Sequence, residues 1–150
     1  MVKSILIIKL GALGDLVQSF GLMRAIAAHH DGARITVMTT PPFAAMVEQS
    51  GIADTVIALP RPQFWQWGVW RDWVRAARGH DIVYDLQNND RTEILYRLSG
   101  HKNWVGKATG YDAQNDKNIH MYEAHRRNLA RAGVAVFGHD TLSWMGEAIE

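Results

Sequence analysis

The chain has no cysteine among its 150 residues, which excludes a disulfide framework and any thiolate metal site. Its net charge is only +1, so no overall field draws it toward nucleic acid. Nowhere do about 18 apolar residues run without a charge, the length a membrane-spanning helix needs; the apolar start at Ile5 is broken at Lys9, too early for an export signal. Proline is scarce, at 4 residues, and two of these are adjacent at Pro41 and Pro42. Neither internal repeats nor low-complexity segments occur, and with 47% apolar and 21% charged residues the composition is that of a globular protein.

A chain of this length makes one ordinary domain. Short apolar runs alternate with longer amphipathic stretches throughout, which predicts βαβ units, an α/β fold and a doubly wound parallel sheet. Strands are expected at residues 5–9, 34–39, 55–58, 82–85 and 103–106, with a weaker one at 134–137. Helices are expected at 16–29, 43–49, 64–78, 90–98 and 121–132. Pro41 and Pro42 suit the first turn of the second helix, and Gly51 its end. After residue 137 the chain gives no stop signal and reads as if divided at a domain edge.

In open parallel sheets, ligands bind at the carboxyl ends of the strands. The segment Gly11-Ala12-Leu13-Gly14-Asp15 follows the first strand and opens the first helix. Its glycines allow a sharp turn and close approach of a ligand, and the helix start favours anions. It is neither GxGxxG nor a GK[ST] phosphate loop. Asp15 is then either an acid favoured by the helix dipole, worth about 0.3–1 kcal/mol, or a general base able to take a proton from a hydroxyl.

On the same edge, Asp85, Gln87 and Asn88 follow the fourth strand and carry donors and acceptors suited to sugar hydroxyls, while Asn89 has the character of a helix N-cap. Thr39 and Thr40 end the second strand there. Between Phe64 and Trp73 the sequence holds four tryptophans. Trp67, Trp70, Trp73 or Val74, and Ala77 share one helical face and are expected in the core, with Trp65 off that stripe. An exposed Trp65 beside arginines would instead suit a membrane interface or an anionic, lipid-linked substrate. His120 and His125 are five apart and lack the HExxH frame, so no metal site is expected. His29 and His30 read as cations at a helix end.

Three stretches, ILIIKLGALGDLVQSFGLMRAI, RITVMTTPPFAAMV and DIVYDLQNNDRTEILYRLSG, together resemble the N-terminal half of bacterial glycosyltransferase family 9, the lipopolysaccharide heptosyltransferases. That resemblance implies a GT-B architecture, two Rossmann-like domains facing a cleft, with the acceptor on the N-terminal one. It implies that residues 1–150 are that acceptor-binding domain, and that a C-terminal domain binding the nucleotide-sugar donor lies outside the chain, leaving the 150 residues inactive alone. Asp15 matches the base for metal-independent, inverting attack. Gly11 and Gly14 match the turn that admits substrates, and Asp85 and Gln87 a cleft-lining loop. Arg61, Arg71 and Arg75 fall in a basic region facing a phosphorylated, lipid-linked or oligosaccharide acceptor. A cytoplasmic protein with peripheral inner-membrane contact follows. Two other classes remain: a non-catalytic sugar- or nucleotide-phosphate-binding domain, in which the glycine turn cradles a phosphate, and a scaffold whose tryptophan helix docks a partner.

Overall fold

The computed structural model describes residues 2–110, 121–136 and 138–147. Five strands, β1 (Ser4–Ile8), β2 (Arg34–Thr39), β3 (Thr55–Ala58), β4 (Ile82–Asp85) and β5 (Trp104–Val105), form one sheet in the order β3-β2-β1-β4-β5. All four pairings are parallel, with Ile8 facing Met38 on one side and Asp85 on the other. The expected α/β, doubly wound sheet is therefore present. Chain order reverses between β1 and β4, and such a switch point opens a crevice at the strand ends.

Alternation along β1 builds two cores. Ile5 and Ile7 point to one face, where helix α1 (Leu13–His29) supplies Leu16, Phe20, Met23 and Ile26, and helix α5 (Met121–Arg131) supplies Leu129. Leu6 and Ile8 point to the other, onto Trp70, Trp73 and Ala77 of α3 (Trp67–Arg78) and Leu95 of α4 (Asp90–Ser99). Because β1 is covered on both sides, it carries a continuous apolar run rather than alternation with polar residues. Helix α1 is itself buried on two sides. A Cβ at Gly21 would stand 2.7 Å from the Gly138 carbonyl, so the segment around 138–140 can lie against α1 only because that residue has no side chain.

Three expectations change. The aromatic helix begins at Trp67 rather than residue 64, because Gln63 and Gln66 close a turn first: the Gln66 side chain accepts from Gln63 N at 2.8 Å. Trp67 is not in the core; it is the first residue of α3 and is 77% exposed, whereas Trp70 and Trp73 one turn and more along are buried. No strand forms at Val134–Val136, and Phe137 lies outside the described residues. There the Val134 N–H donates to Leu129 O at 2.8 Å after Gly133 turns at φ 86°, so the backbone ends α5 instead of joining a ladder. Pro41–Phe43 form a 3-10 turn before α2 (Ala44–Gln49), and Trp144–Glu147 form a last helical turn, α6.

Trp73 and Trp65 give a paired test. Trp73 is fully buried, with Nε1 donating to Pro60 O at 3.2 Å, so Trp73→Ala should destabilise by about 3–5 kcal/mol. Trp65, 73% exposed, should tolerate Trp65→Ala within about 0.5 kcal/mol. Urea unfolding of both variants measures the difference.

Candidate functional site

At the switch point, the loops after β1 and β4 are tied together. Lys9 ends the apolar run of β1 and is only 2% exposed; its Nζ donates to Leu86 O at 3.1 Å. The Leu10 N–H donates to Gln87 Oε1 at 3.1 Å. Thr40 Oγ donates to Leu10 O at 2.7 Å, joining the end of β2 to the same loop. Gly11 then turns at φ 126°, and a Cβ there would overlap the Phe43 ring. A side chain is excluded at this position by space as well as by backbone.

Asp15 occupies the first turn of α1 and is exposed. No side chain caps that helix, which leaves its first N–H groups directed to the crevice. Gly14 is exposed beside it, with open space where a Cβ would stand. Behind Asp15 lies a hollow of about 10 Å³, lined by Lys9, Asp15, Gln18, Ser19, Leu22, Tyr122 and His125. Asp15 is thus open to solvent on one side and shares the small hollow with Lys9 on the other. A larger hollow of about 560 Å³ lies along α1 by Arg24 and Asp140, about 13 Å down the helix from Asp15. Arg24 and Asp140 pair with each other there, so its charges are already used.

Burial lowers the affinity of Lys9 for its proton, while the Asp15 and Asp85 carboxylates hold it on and Arg61 opposes them. Asp85 is 3% exposed, and burial pushes its carboxyl up to about 6, against hydrogen bonds from Asn88 N, the Thr92 side chain and Gln87 N and the Lys9 charge. Its Oδ1 accepts from Gln87 N at 3.0 Å and Asn88 N at 2.9 Å. Asp85 thus folds the loop rather than reaching outward. Asn88 adopts φ 49° and its Oδ1 accepts from Lys107 N at 3.0 Å, while Asn89 caps α4 in a reciprocal box with Thr92.

The sequence candidates divide accordingly. Asp15, Gly11, Gly14 and Gln87 meet at the crevice, with Arg61 within electrostatic reach of Lys9. Asp85, Asn88, Thr39 and Thr40 stand on the same edge but are buried. Arg71 and Arg75 lie further down the exposed side of α3, about 6 and 12 Å from Trp67 along the axis. Two residues escape a reading by motif: Lys9, whose signal was a lone charge at the end of an apolar strand, and His125. His120 lies outside the described residues. His125 is 3% exposed with neither ring nitrogen hydrogen-bonded among the described residues. Among the described residues no three His, Asp or Glu side chains group as metal ligands.

This architecture, an open parallel sheet with its crevice at a β1–β4 switch point, is Rossmann-like, and solved structures of glycosyltransferases share it. The chain superposes on a glycosyl transferase of family 9 from Veillonella parvula DSM 2008 with a TM-score of 0.75 at 17% identity, covering 91% of this chain and 43% of that one. It matches E. coli heptosyltransferase WaaC with ADP at TM-score 0.65 and 16% identity, covering 91% and 49%. It also matches E. coli ADP-heptose lps heptosyltransferase II at 0.58 and 21%, covering 71% and 32%. The likeness establishes the fold, that found within GT-B glycosyltransferases, and agrees with the resemblance read from the sequence. The chain spans about a third to a half of the length of these structures. No protein-family model and no curated protein sequence matches it.

The buried imidazole makes a testable contribution to stability. Burial, with the Lys9 charge second, lowers His125 to about 3 from an ordinary 6.5. Below pH 6.5 the unfolded chain takes up a proton that the folded chain refuses, so stability falls with pH through this window by up to about 1.4 kcal/mol per unit. Asp85, raised from 3.8 to about 6, acts oppositely, since the folded chain then binds the extra proton. His125→Leu removes the first effect alone. Relative to the parent chain, the variant should gain about 2 kcal/mol between pH 7 and pH 5, measured by urea unfolding at each pH; an unchanged difference would show that the ring titrates normally.

Proposed function

We propose that this chain is the acceptor-binding domain of an inverting, metal-independent glycosyltransferase. In this reading the complete enzyme moves a heptosyl or hexosyl group from a nucleotide sugar to a lipopolysaccharide-type acceptor, lipid-linked or oligosaccharide. The donor is held by a second domain outside these residues, and the 150 residues alone do not turn over. The enzyme works in the cytoplasm, at the face of the inner membrane.

The observation that carries the reading is the exposed Asp15 in the uncapped first turn of α1, at the switch point, in a fold shared with family 9 and heptosyltransferase structures. Asp15 takes the proton of an acceptor hydroxyl as that oxygen attacks the anomeric carbon. The new C–O bond forms on the face opposite the nucleotide. The old anomeric C–O bond breaks, and its electron pair leaves with the nucleoside diphosphate. Lys9 lines the small hollow beside Asp15, and the fields of Asp15 and Asp85 help it keep its proton there. Gln87 and the tied loops fix the floor of the crevice. Arg61, on the rim, suits an acidic group on the acceptor.

In the complete enzyme, Asp15→Asn should lower kcat by about two to four orders of magnitude, with nucleotide-sugar affinity and the melting temperature nearly unchanged. Turnover close to that of the parent enzyme would remove Asp15 as the base. Calorimetry on the 150-residue chain separates this reading from a phosphate-binding domain: tight binding of a free nucleoside diphosphate here would favour the latter.

A further inference from the structure

We propose that the aromatic and arginine side chains from Arg61 to Arg75 form a docking face for an anionic lipid bilayer. The proposal rests on the transferase reading only for its purpose, since a lipid-linked acceptor has to be met at a membrane; the face itself is read from the surface.

Phe64 is 75% exposed, Trp65 73% and Trp67 77%. Three of the five exposed large apolar side chains among the described residues therefore fall within four consecutive positions; the other two, Leu13 and Leu98, stand apart in sequence. Rings left facing water contribute little burial to the fold, whereas aromatic rings partition well into the headgroup region of a bilayer. Nor are they on a loose loop. Leu59 N donates to Thr39 O, Trp73 Nε1 to Pro60 O, Arg91 Nε to Pro62 O at 3.1 Å and Trp70 Nε1 to Gln63 O at 3.0 Å. The backbone leading into the rings, residues 59–63, is held from β2, α3 and α4.

Charge selects the occupant. Residues 61–78 hold the four arginines Arg61, Arg71, Arg75 and Arg78 against one acid, Asp72. Arg78 is engaged, donating to Ser99 O and Leu98 O. Arg61, Arg71 and Arg75 are exposed and make no ion pair among the described residues. Trp67, Arg71 and Arg75 recur every four residues, one side of α3. Aromatic rings flanked by unpaired cations match anionic headgroups over an apolar layer. The rings also lie beyond the carboxyl end of β3, the edge on which Asp15 opens, so a docked domain presents its crevice to the membrane.

Sedimentation of the 150-residue chain with vesicles tests this. Vesicles of phosphatidylglycerol and phosphatidylethanolamine in equal parts should carry the chain down, and vesicles of phosphatidylcholine alone should carry far less. The combined variant F64S/W65S/W67S should lose more than tenfold in bound fraction, and R61Q/R71Q/R75Q about fivefold for each charge removed. Circular dichroism melting checks that each variant is folded; W65S alone replaces the combined variant if that fails to fold, with a smaller loss expected. Equal binding to both vesicle types, or an aromatic variant that sediments like the parent, overturns the proposal. So does a chain that ignores vesicles but binds a soluble phosphorylated oligosaccharide. Asp15→Asn should sediment like the parent chain, so loss of docking and loss of the base assignment are read separately.

Discussion

A lysine carried into the carboxyl edge of a parallel sheet has to be solvated by the protein itself. Lys9 is held by the Leu86 carbonyl and by the fields of Asp15 and Asp85, and those same groups define the crevice. The loop after β4 reaches across to satisfy the ammonium, the Gln87 side chain then finds the backbone of β1's exit, and Thr40 binds the same exit from β2. Three strand ends are thereby tied together at the Lys9 charge and Leu10. Such a charge is expensive to leave uncompensated, so the loops that compensate it cannot drift independently.

Most of the scaffold was legible because its signals are local. The strand at Arg34–Thr39 and those at Thr55–Ala58 and Ile82–Asp85 stand at their expected positions, since each is a short apolar run bounded by turn residues, and Asn89 caps as its type foretells. The departures come from local hydrogen bonds that composition does not display, at Gln63–Gln66 and Val134–Leu129, and from tertiary cover at Trp67. The tryptophan stripe has helical spacing through Trp67, but spacing does not say how far cover extends along it, and Trp67 stands exposed where Trp70 and Trp73 are buried. Val134–Val136 have strand composition, yet the turn at Gly133 spends the Val134 N–H on the helix before it.

The site was legible in outline and not in its interior. A glycine bend followed by an acid is a sequence pattern, and Asp15 is presented as that pattern implies. Asp85 looked the same from sequence, an acid after a strand, but its carboxylate is turned into the loop and accepts two backbone N–H groups. Only three-dimensional burial distinguishes an acid left open at the sheet edge from one that folds a turn. Lys9 and His125 were hidden for the converse reason: each is an ordinary residue in sequence, made unusual by what surrounds it.

The two margins of the sheet are short. β3 has four residues and β5 only two, so neither border exposes a long row of unsatisfied amide and carbonyl groups. Borders this short are poor templates for a strand from another molecule. The architecture therefore resists intermolecular sheet growth through brevity, without needing prolines or lysines along its borders, and a mutation that lengthened β5 would trade that protection for a little extra pairing.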